Sequence, residues 1–409
     1  MAKKKNNTDI DDDFFAEFAK ETGSDVLDHI DSVSYFVDTG SLALNYICSG
    51  QFITGGIPGG KLTEIYGHNS SSKSLFGANI LFGCQKVGGV AILLDCENSA
   101  NKDFIQKASH CDLRKIVRAS PETLEDVFAK MYKMIEFVRQ KKGNEVPVVI
   151  VYDSIGVSPS ARELREVDLP EGYTKAQFKA IVGANEQPGE RAKICSRELR
   201  KLNTMMERHN ATVVILNQTR AKIGGWAPMG QQPLTTAGGG NALPFYASLR
   251  LETKTLKRIE KKLTATKKKT LGINVRLKNV KNKTHRPFVE TDNVQLLFDK
   301  GINPISGLLS CLLDADRISL KGTGSFIVNP AYTNGEEVKF RANIERNDVP
   351  IEILFQCPAL IDASSVDQVE KYLEPYKAAI EGRAEDDAEV ELSEVGDGAD
   401  EEIDEELEA

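Results

Sequence analysis

Residues 61–82, KLTEIYGHNSSSKSLFGANILF, decide the fold of this 409-residue chain. The first six residues read as a β-strand, Gly67 to Ser74 as a tight Ser-rich loop, and LFGANILFG as the opening of a helix, the order a phosphate-binding loop requires. In such a loop, backbone N–H groups at the helix N-terminus surround the phosphates of a nucleotide, a lysine brings positive charge to the outer ones, and a hydroxyl ligates Mg2+. Gly67, His68, Asn69, Ser70, Ser71, Ser72, Lys73 and Ser74 are therefore candidate nucleotide contacts, with Lys73 the charge donor and Ser74 the metal ligand. One position departs from G-x-x-x-x-G-K-[ST]: Ser72 stands where the second glycine belongs. If that site needs a positive φ, a serine there costs on the order of 1 kcal/mol or more. The bland reading, a polar loop with an incidental lysine, does not explain the strand before it and the helix after it.

Working outward, apolar strand candidates at 61–66, 89–95, 114–118, 147–153 and 211–217 alternate with helical stretches. That pattern predicts an α/β fold with a mostly parallel sheet covered on both faces. Active sites of such sheets lie at the carboxyl ends of the strands. VPVVIVYDS ends there in Asp153, placed to hold Mg2+. The strand at 89–95 runs into DCEN, which sets Glu97 just beyond the edge as the candidate for polarising an attacking water. ATVVILN presents Gln218 at the same edge, where an amide can sense a γ-phosphate. Against these readings stand plainer ones: Glu97 as a surface residue and Gln218 as a loop cap.

Strand candidates at 245–252, 271–281 and 292–298 have little helix between them and suggest antiparallel hairpins extending one edge. A smaller mixed unit follows at about 303–380. Ahead of the core, residues 11–30 place Phe14, Phe15, Phe18, Val26 and Leu27 at roughly helical spacing, an apolar face that must pack on something. Three segments break the pattern without evident structure: Arg162–Glu190, Arg220–Gly240 with the single tryptophan Trp226, and the Lys- and Arg-rich stretch Lys254–Lys269. Loops this long in a compact domain are usually functional or disordered.

The whole-chain charge of −8 conceals a division, because residues 384–409 hold 14 Asp or Glu and no Lys or Arg, which leaves residues 1–383 at +6. A basic body with an acidic tail points to a polyanion partner with which the tail competes; the alternative is a solvated tail that only keeps the protein soluble. The seven cysteines are scattered with no C-x-x-C pair, against both a disulfide framework and a structural zinc site. The N-terminal residues lack the apolar run of a secretory signal, and no stretch is long and apolar enough to span a membrane. A reducing cytoplasm is the expected setting.

Taken in order, the pieces resemble the RecA family of homologous-recombination ATPases over roughly residues 35–345. TGSLALNYICSG and GGIPGGKLTEIYG look like that family's approach to its phosphate loop. NQTRAKIG, then TTAGGGNALPFYASLRLE, is similar to its second DNA-binding loop and the strand after it, and VRLKNVKNKTHRPF and GINPISGLL continue the likeness. The resemblance implies ATP and Mg2+ as cofactors, DNA-dependent ATP hydrolysis, and a helical filament on single-stranded DNA that pairs and exchanges homologous strands. It implies that Glu97 is the catalytic base and that Gln218 couples the γ-phosphate to the DNA-binding loop. Phe104 falls where an aromatic ring lies against adenine, and Lys281 and Lys283 match a lysine pair that reaches a neighbouring subunit's ATP. For DNA it implies Arg220, Lys222, Trp226, Gly238, Gly239, Gly240 and Asn241, with charge, close backbone approach and a base-stacking indole. Lys254–Lys269 is a candidate secondary site for duplex DNA, with a solvated hairpin face the alternative reading.

The same resemblance implies residues 1–34 as a polymerisation arm, 35–302 as the ATPase core, 303–380 as a small C-terminal α+β domain and 381–409 as an acidic disordered tail. Single-strand-binding and loader proteins are implied partners, and the missing loop glycine is shared with some phage-encoded members, which makes the cytoplasm that of a bacterium or a phage host. Two other classes share parts of the pattern. A ring-forming motor would have the phosphate loop, Asp153 and Glu97 without the NQTRAKIG and GGGNALPFYAS stretches; a non-catalytic DNA-binding paralogue would have these but a weakened Ser72 loop.

Overall fold

The computed structural model describes residues 12–24, 26, 33–68, 72–98, 101–167, 189–221, 235–237, 240–264, 267–333, 335–386 and 390–394. The chain divides into two units, Met1–Ser34 and Tyr35–Ala409. In the first, helix α1 (Asp12–Thr22) leaves Phe14, Phe15 and Phe18 exposed. It is shorter than the apolar spacing through residue 30 suggests, because Gly23 turns the chain at a φ of 64°. Val26 therefore lies beyond it, and Leu27 falls outside the described residues.

The second unit opens with the antiparallel pair β1 (Phe36–Val37) and β2 (Ile57–Pro58), flanking α2 (Leu42–Ser49). The α/β alternation follows: β3 (Leu62–Gly67), α3 (Lys73–Lys86), β4 (Val90–Asp95), α4 (Lys102–Ser109), β5 (Ile116–Ala119), α5 (Leu124–Lys142), β6 (Val148–Asp153), α6 (Ala161–Val167), α7 (Glu190–His209) and β7 (Ala211–Ala221). Strands β3, β7, β6, β4 and β5 lie side by side in that order, all parallel. The expected mostly parallel α/β sheet is thus present.

Burial on both faces explains why these strands read as unbroken apolar runs. Ala91, Leu93, Val149, Val151, Val214 and Leu216 enter one core, and their neighbours Ile92, Leu94, Val148, Ile150, Val213 and Ile215 enter the other. Helix α3 covers the first face and approaches closely at Gly77, where a Cβ would stand 3.0 Å from Val151 Cγ1 and 3.2 Å from Leu216 Cδ1. Helices α5 and α7 cover the second face through Val127, Phe128, Met131, Leu199 and Leu202. At the amino-terminal end of the sheet, buried Arg139 ties the helix ends together. Its Nε donates to His209 O (2.6 Å), Nη1 to Gly143 O (2.8 Å) and Val146 O (2.6 Å), and Nη2 to Asn210 O (3.1 Å).

Beyond β3 the sheet becomes antiparallel. After β8 (Thr235–Ala237) and α8 (Ala242–Tyr246) come β9 (Leu249–Lys262), β10 (Lys268–Asn282), β11 (Glu290–Leu297) and β12 (Gly301–Ile302). The expectation of hairpins extending one edge holds, with two corrections. Residues 242–246 form a helix where a strand was expected from 245, because Ser248 N bonds Leu62 O and only from Leu249 does the chain pair with β3. Lys254–Lys269 is not an unstructured insertion: β9 and β10 run through most of it as a long hairpin, its register set by backbone pairing from Lys262↔Lys268 inward. Charge on both strands hides the period-2 pattern there.

Residues 308–386 add α9 (Leu308–Asp314), the antiparallel strands β13 (Ile318–Gly322), β14 (Ser325–Val328) and β15 (Lys339–Arg341), then α10 (Ile351–Gln356), α11 (Val366–Leu373) and α12 (Lys377–Asp386). Leu308, Leu312, Phe326, Leu354 and Tyr376 join Val37, Leu42, Ile47, Val275 and Val294 in one core. Asp38 fastens this junction. Its Oδ1 accepts from Tyr372 OH (2.9 Å) and Asn45 Nδ2 (2.8 Å) and its Oδ2 from Lys86 Nζ (2.7 Å), whose ammonium lies 4.6 Å from the Tyr372 ring centre. Within the acidic tail, β16 (Val390–Glu394) pairs antiparallel with β9, from Val390↔Lys261 to Glu394↔Lys257. It occupies the edge of β9 that β3 leaves open beyond Thr253.

Candidate nucleotide site

The parallel register brings the chemistry-bearing residues to one edge of the sheet. Gly67 at the end of β3 is level with Gln218 on β7, and Asp95 at the end of β4 is level with Asp153 at the end of β6. The ladder continues one step further through Cys96 N to Asp153 O (2.7 Å), which carries Glu97 past the sheet beside Ser154.

Helix α3 starts from Ser72, whose φ of 58° and ψ of 28° are left-handed. This is the backbone shape that a glycine would adopt without strain, and the serine side chain makes no capping hydrogen bond in return. The next residue, buried Lys73, turns its Nζ onto the loop's own carbonyls, 2.6 Å from His68 O and 3.4 Å from Gly67 O. Ser74 Oγ donates to Asp153 Oδ2 at 2.6 Å. Burial pushes the Asp153 carboxyl up to about 6, with the Ser74 hydrogen bond opposing the shift and the nearby Glu97 adding to it. A desolvated carboxylate touching a hydroxyl is an oxygen pair suited to a hard divalent cation, so these two residues fit Mg2+.

Glu97 Oε1 accepts from two donors, Ser154 Oγ at 2.6 Å and Gln218 Nε2 at 3.2 Å. The structure thus brings Glu97 and Gln218 into contact and adds Ser154, which sequence reasoning passed over. The signal was the polar dipeptide Asp153–Ser154 at a strand end. Asp95 was missed too: it is buried at the β4 end and accepts from Arg118 Nε (3.0 Å) and Nη2 (2.5 Å). Behind this edge, Glu64 on β3 is fully buried and bridges both neighbouring strands. It accepts from Asn217 Nδ2 (2.8 Å) on β7 and Arg250 Nε (2.5 Å) on β9, and the Arg250 guanidinium lies 4.7 Å from the Tyr66 ring centre.

Phe104 and Asn101, at the start of α4, line a mainly apolar cavity of about 350 Å³ together with Ser74, Leu81, Asp153 and Leu216. Asn101 caps α4, its Oδ1 accepting from the N–H groups of Asp103 (2.9 Å) and Phe104 (3.2 Å). This places Phe104 over the same edge as the phosphate loop.

Lys281 and Lys283 lie apart from that cluster, at the end of β10 and just after it. Lys281 Nζ donates to Pro244 O (2.8 Å) and Phe245 O (2.9 Å), the last turn of α8. Burial, then Lys283 and Arg250, lower its pKa. Lys283 is exposed. Gly240 turns at a φ of 66° into Asn241, which starts α8, and Arg220 sits in the part of β7 paired with β8. Asn69, Ser70, Ser71, Lys222, Trp226, Gly238 and Gly239 lie outside the described residues, as does the Arg220 side chain.

Among the described residues no helix is long and apolar enough to cross a membrane. The family model described as the RecA N-terminal domain matches residues 7–303. Among curated relatives, Protein RecA of Ureaplasma parvum serovar 3 is 28% identical over 318 residues, covering 78% of this chain and 84% of the relative. Protein RecA of Legionella pneumophila strain Corby is 31% identical over 286 residues, 70% of this chain and 72% of the relative. Protein RecA of Leptospira meyeri is 28% identical over 332 residues, 81% and 76%.

Proposed function

This chain belongs to the RecA family and is a RecA-type recombinase of DNA recombination and repair; from that premise we propose that it hydrolyses ATP at the described sheet edge, in a site shared between subunits of a filament on DNA. The observation that carries the reading is the convergence of two pairs at one strand edge, Ser74 with Asp153 and Glu97 with Gln218.

In this proposal Lys73 leaves the carbonyls of Gly67 and His68 for the β- and γ-phosphates. Ser74 and Asp153 would hold Mg2+, which when bound neutralises charge on the phosphate oxygens. Glu97 orients a water and accepts its proton as the water oxygen bonds to the γ-phosphorus and the bond to the β–γ bridging oxygen breaks, leaving ADP and phosphate. Phe104 gives the adenine an aromatic face. Lys281 and Lys283 reach the ATP of the next subunit, and a head-to-tail contact that does not close yields a helical filament. Gln218, at the root of the loop beginning at Arg220, reports the γ-phosphate to DNA-binding residues Arg220, Lys222, Trp226 and Gly238 to Asn241.

Residues 1–34 serve as the polymerisation arm, which the exposed Phe14, Phe15 and Phe18 support, 35–302 as the ATPase core and 303–380 as its C-terminal adjunct. The acidic residues after 380 restrain duplex DNA at the basic hairpin, a role supported by the pairing of β16 with β9. The test is strand exchange between a circular single strand and a homologous linear duplex. The wild-type chain with ATP and Mg2+ should form joint molecules. Glu97→Gln should still bind nucleotide but lose DNA-stimulated turnover, and a Glu97→Gln chain that hydrolyses ATP at the wild-type rate refutes the assignment of the base.

A further inference from the structure

The two donors on Glu97 are not equivalent. Ser154 is 1% exposed, its hydrogen bond is 2.6 Å long, and its backbone is fixed on both sides: Asp153 belongs to β6, and Ile155 N donates to Leu216 O at 3.3 Å. Gln218 is only partly buried, reaches the same Oε1 at 3.2 Å, and stands on β7 where that strand leaves the sheet toward the DNA-binding segment. A hydroxyl locked in the core and an amide on a longer, freer side chain thus share one carboxylate oxygen.

We propose that Ser154 is a positioning residue that holds Glu97 throughout turnover, including when Gln218 has turned away. This rests on the reading of Glu97 as the residue that activates water. When Gln218 turns to the γ-phosphate, Glu97 loses one of two restraints. The Ser154 hydroxyl keeps Oε1 in place and leaves Oε2 to take the proton. Asp153 and Ser154, adjacent in sequence, thereby aim at different partners: one carboxylate toward Ser74, one hydroxyl toward Glu97. A rigid strand end thus sets the distance between the metal-binding oxygens and the base, which is the kind of pre-organisation that positions catalytic groups.

The test measures single-stranded-DNA-stimulated ATP turnover and, separately, binding of a fluorescent ATP analogue. Ser154→Ala should lower kcat about tenfold, as expected for losing one hydrogen bond to a charged group, with KM and nucleotide affinity changed by less than about twofold. Ser154→Thr, which retains the hydroxyl, should keep most of the wild-type kcat. In a Glu97→Gln background, Ser154→Ala should cost nothing further, because a residue that acts only through Glu97 has nothing left to position. Unchanged kcat in Ser154→Ala, an equal loss in both backgrounds, or failure of Ser154→Thr to restore turnover overturns the proposal. Full turnover in Glu97→Gln alone would remove the base reading itself; loss in Glu97→Gln with full turnover in Ser154→Ala removes only the positioning role.

Discussion

Replacing Ser72 with glycine tests how the phosphate loop meets its ligand. Ser72 holds the left-handed conformation, with φ 58° and ψ 28°, and its side chain offers no compensating cap. A non-glycine residue in that region is strained by roughly 1–2 kcal/mol, which glycine would relieve. Glycine also adds about 0.4–1 kcal/mol of conformational entropy to the unfolded chain, so the net gain in stability is about 0.5–1 kcal/mol. In a unit of this size that raises Tm by about 1 °C. Nucleotide affinity should respond differently. If the loop keeps this conformation with and without ATP, the strain cancels between the two states, and Kd should change by less than about threefold. Scanning calorimetry gives the first quantity and titration with a fluorescent nucleotide the second. A tenfold or larger tightening of Kd, equivalent to about 1.4 kcal/mol, with no rise in Tm would refute the reasoning, because the strain would then arise only on binding.

Other consequences can be checked independently. Burial raises the Asp153 carboxyl from 3.8 to about 6, so in the metal-free protein folding takes up a proton between those values. This group's stabilising contribution is complete below pH 3.8 and is lost as pH rises through 6, about 3 kcal/mol in all. Asp153→Asn should therefore raise the metal-free Tm at pH 7, and Mg2+-dependent nucleotide binding by the wild type should weaken as pH falls below 6. Glu64→Ala strands Arg250 and Asn217 beside a buried gap and should cost about 3–5 kcal/mol by denaturant unfolding, while a neutral result would mean water replaces the carboxylate. Deleting residues 384–409 removes β16 and 14 acidic side chains, so duplex DNA should bind more tightly, with a steeper salt dependence. Unchanged duplex affinity would sink the competing-tail reading.

Much of the core was legible because its signals are local. The strand, Ser-rich loop and helix at 61–82 and the apolar runs ending at Asp95 and Asp153 state their own geometry, and a sheet buried on both faces makes such runs nearly continuous. What escaped depended on partners far away in sequence. The hairpin through Lys254–Lys269 carries too much charge to show a strand period, and pairing between β9 and β10 supplies the order. The end of helix α8 reads as the start of a strand because the aromatic pair Phe245–Tyr246 suits either state, and Lys281, more than thirty residues on, satisfies its last carbonyls. Ser154 is invisible as a ligand of Glu97 until β4 and β6 lie side by side. Glu64 reads as a polar interruption of a strand and becomes intelligible only with Arg250 on one side and Asn217 on the other.

Arg139 gives the sheet two unlike ends. At the amino-terminal end one guanidinium donates to four carbonyls and closes the helix termini over the strands. At the carboxyl end a desolvated aspartate, a strained serine and side-chain contacts that ligands must rearrange leave the backbone less secured. Opening fluctuations should therefore be polarised along the strands. In deuterium exchange of the ligand-free protein, the paired strand amides at 148–150 and 211–213 should exchange only through global unfolding, and those at 67–68 and 96–98 through far cheaper local openings. Nucleotide would then act first as a quencher of motion at one rim, leaving the opposite rim as the still point against which each cycle is measured.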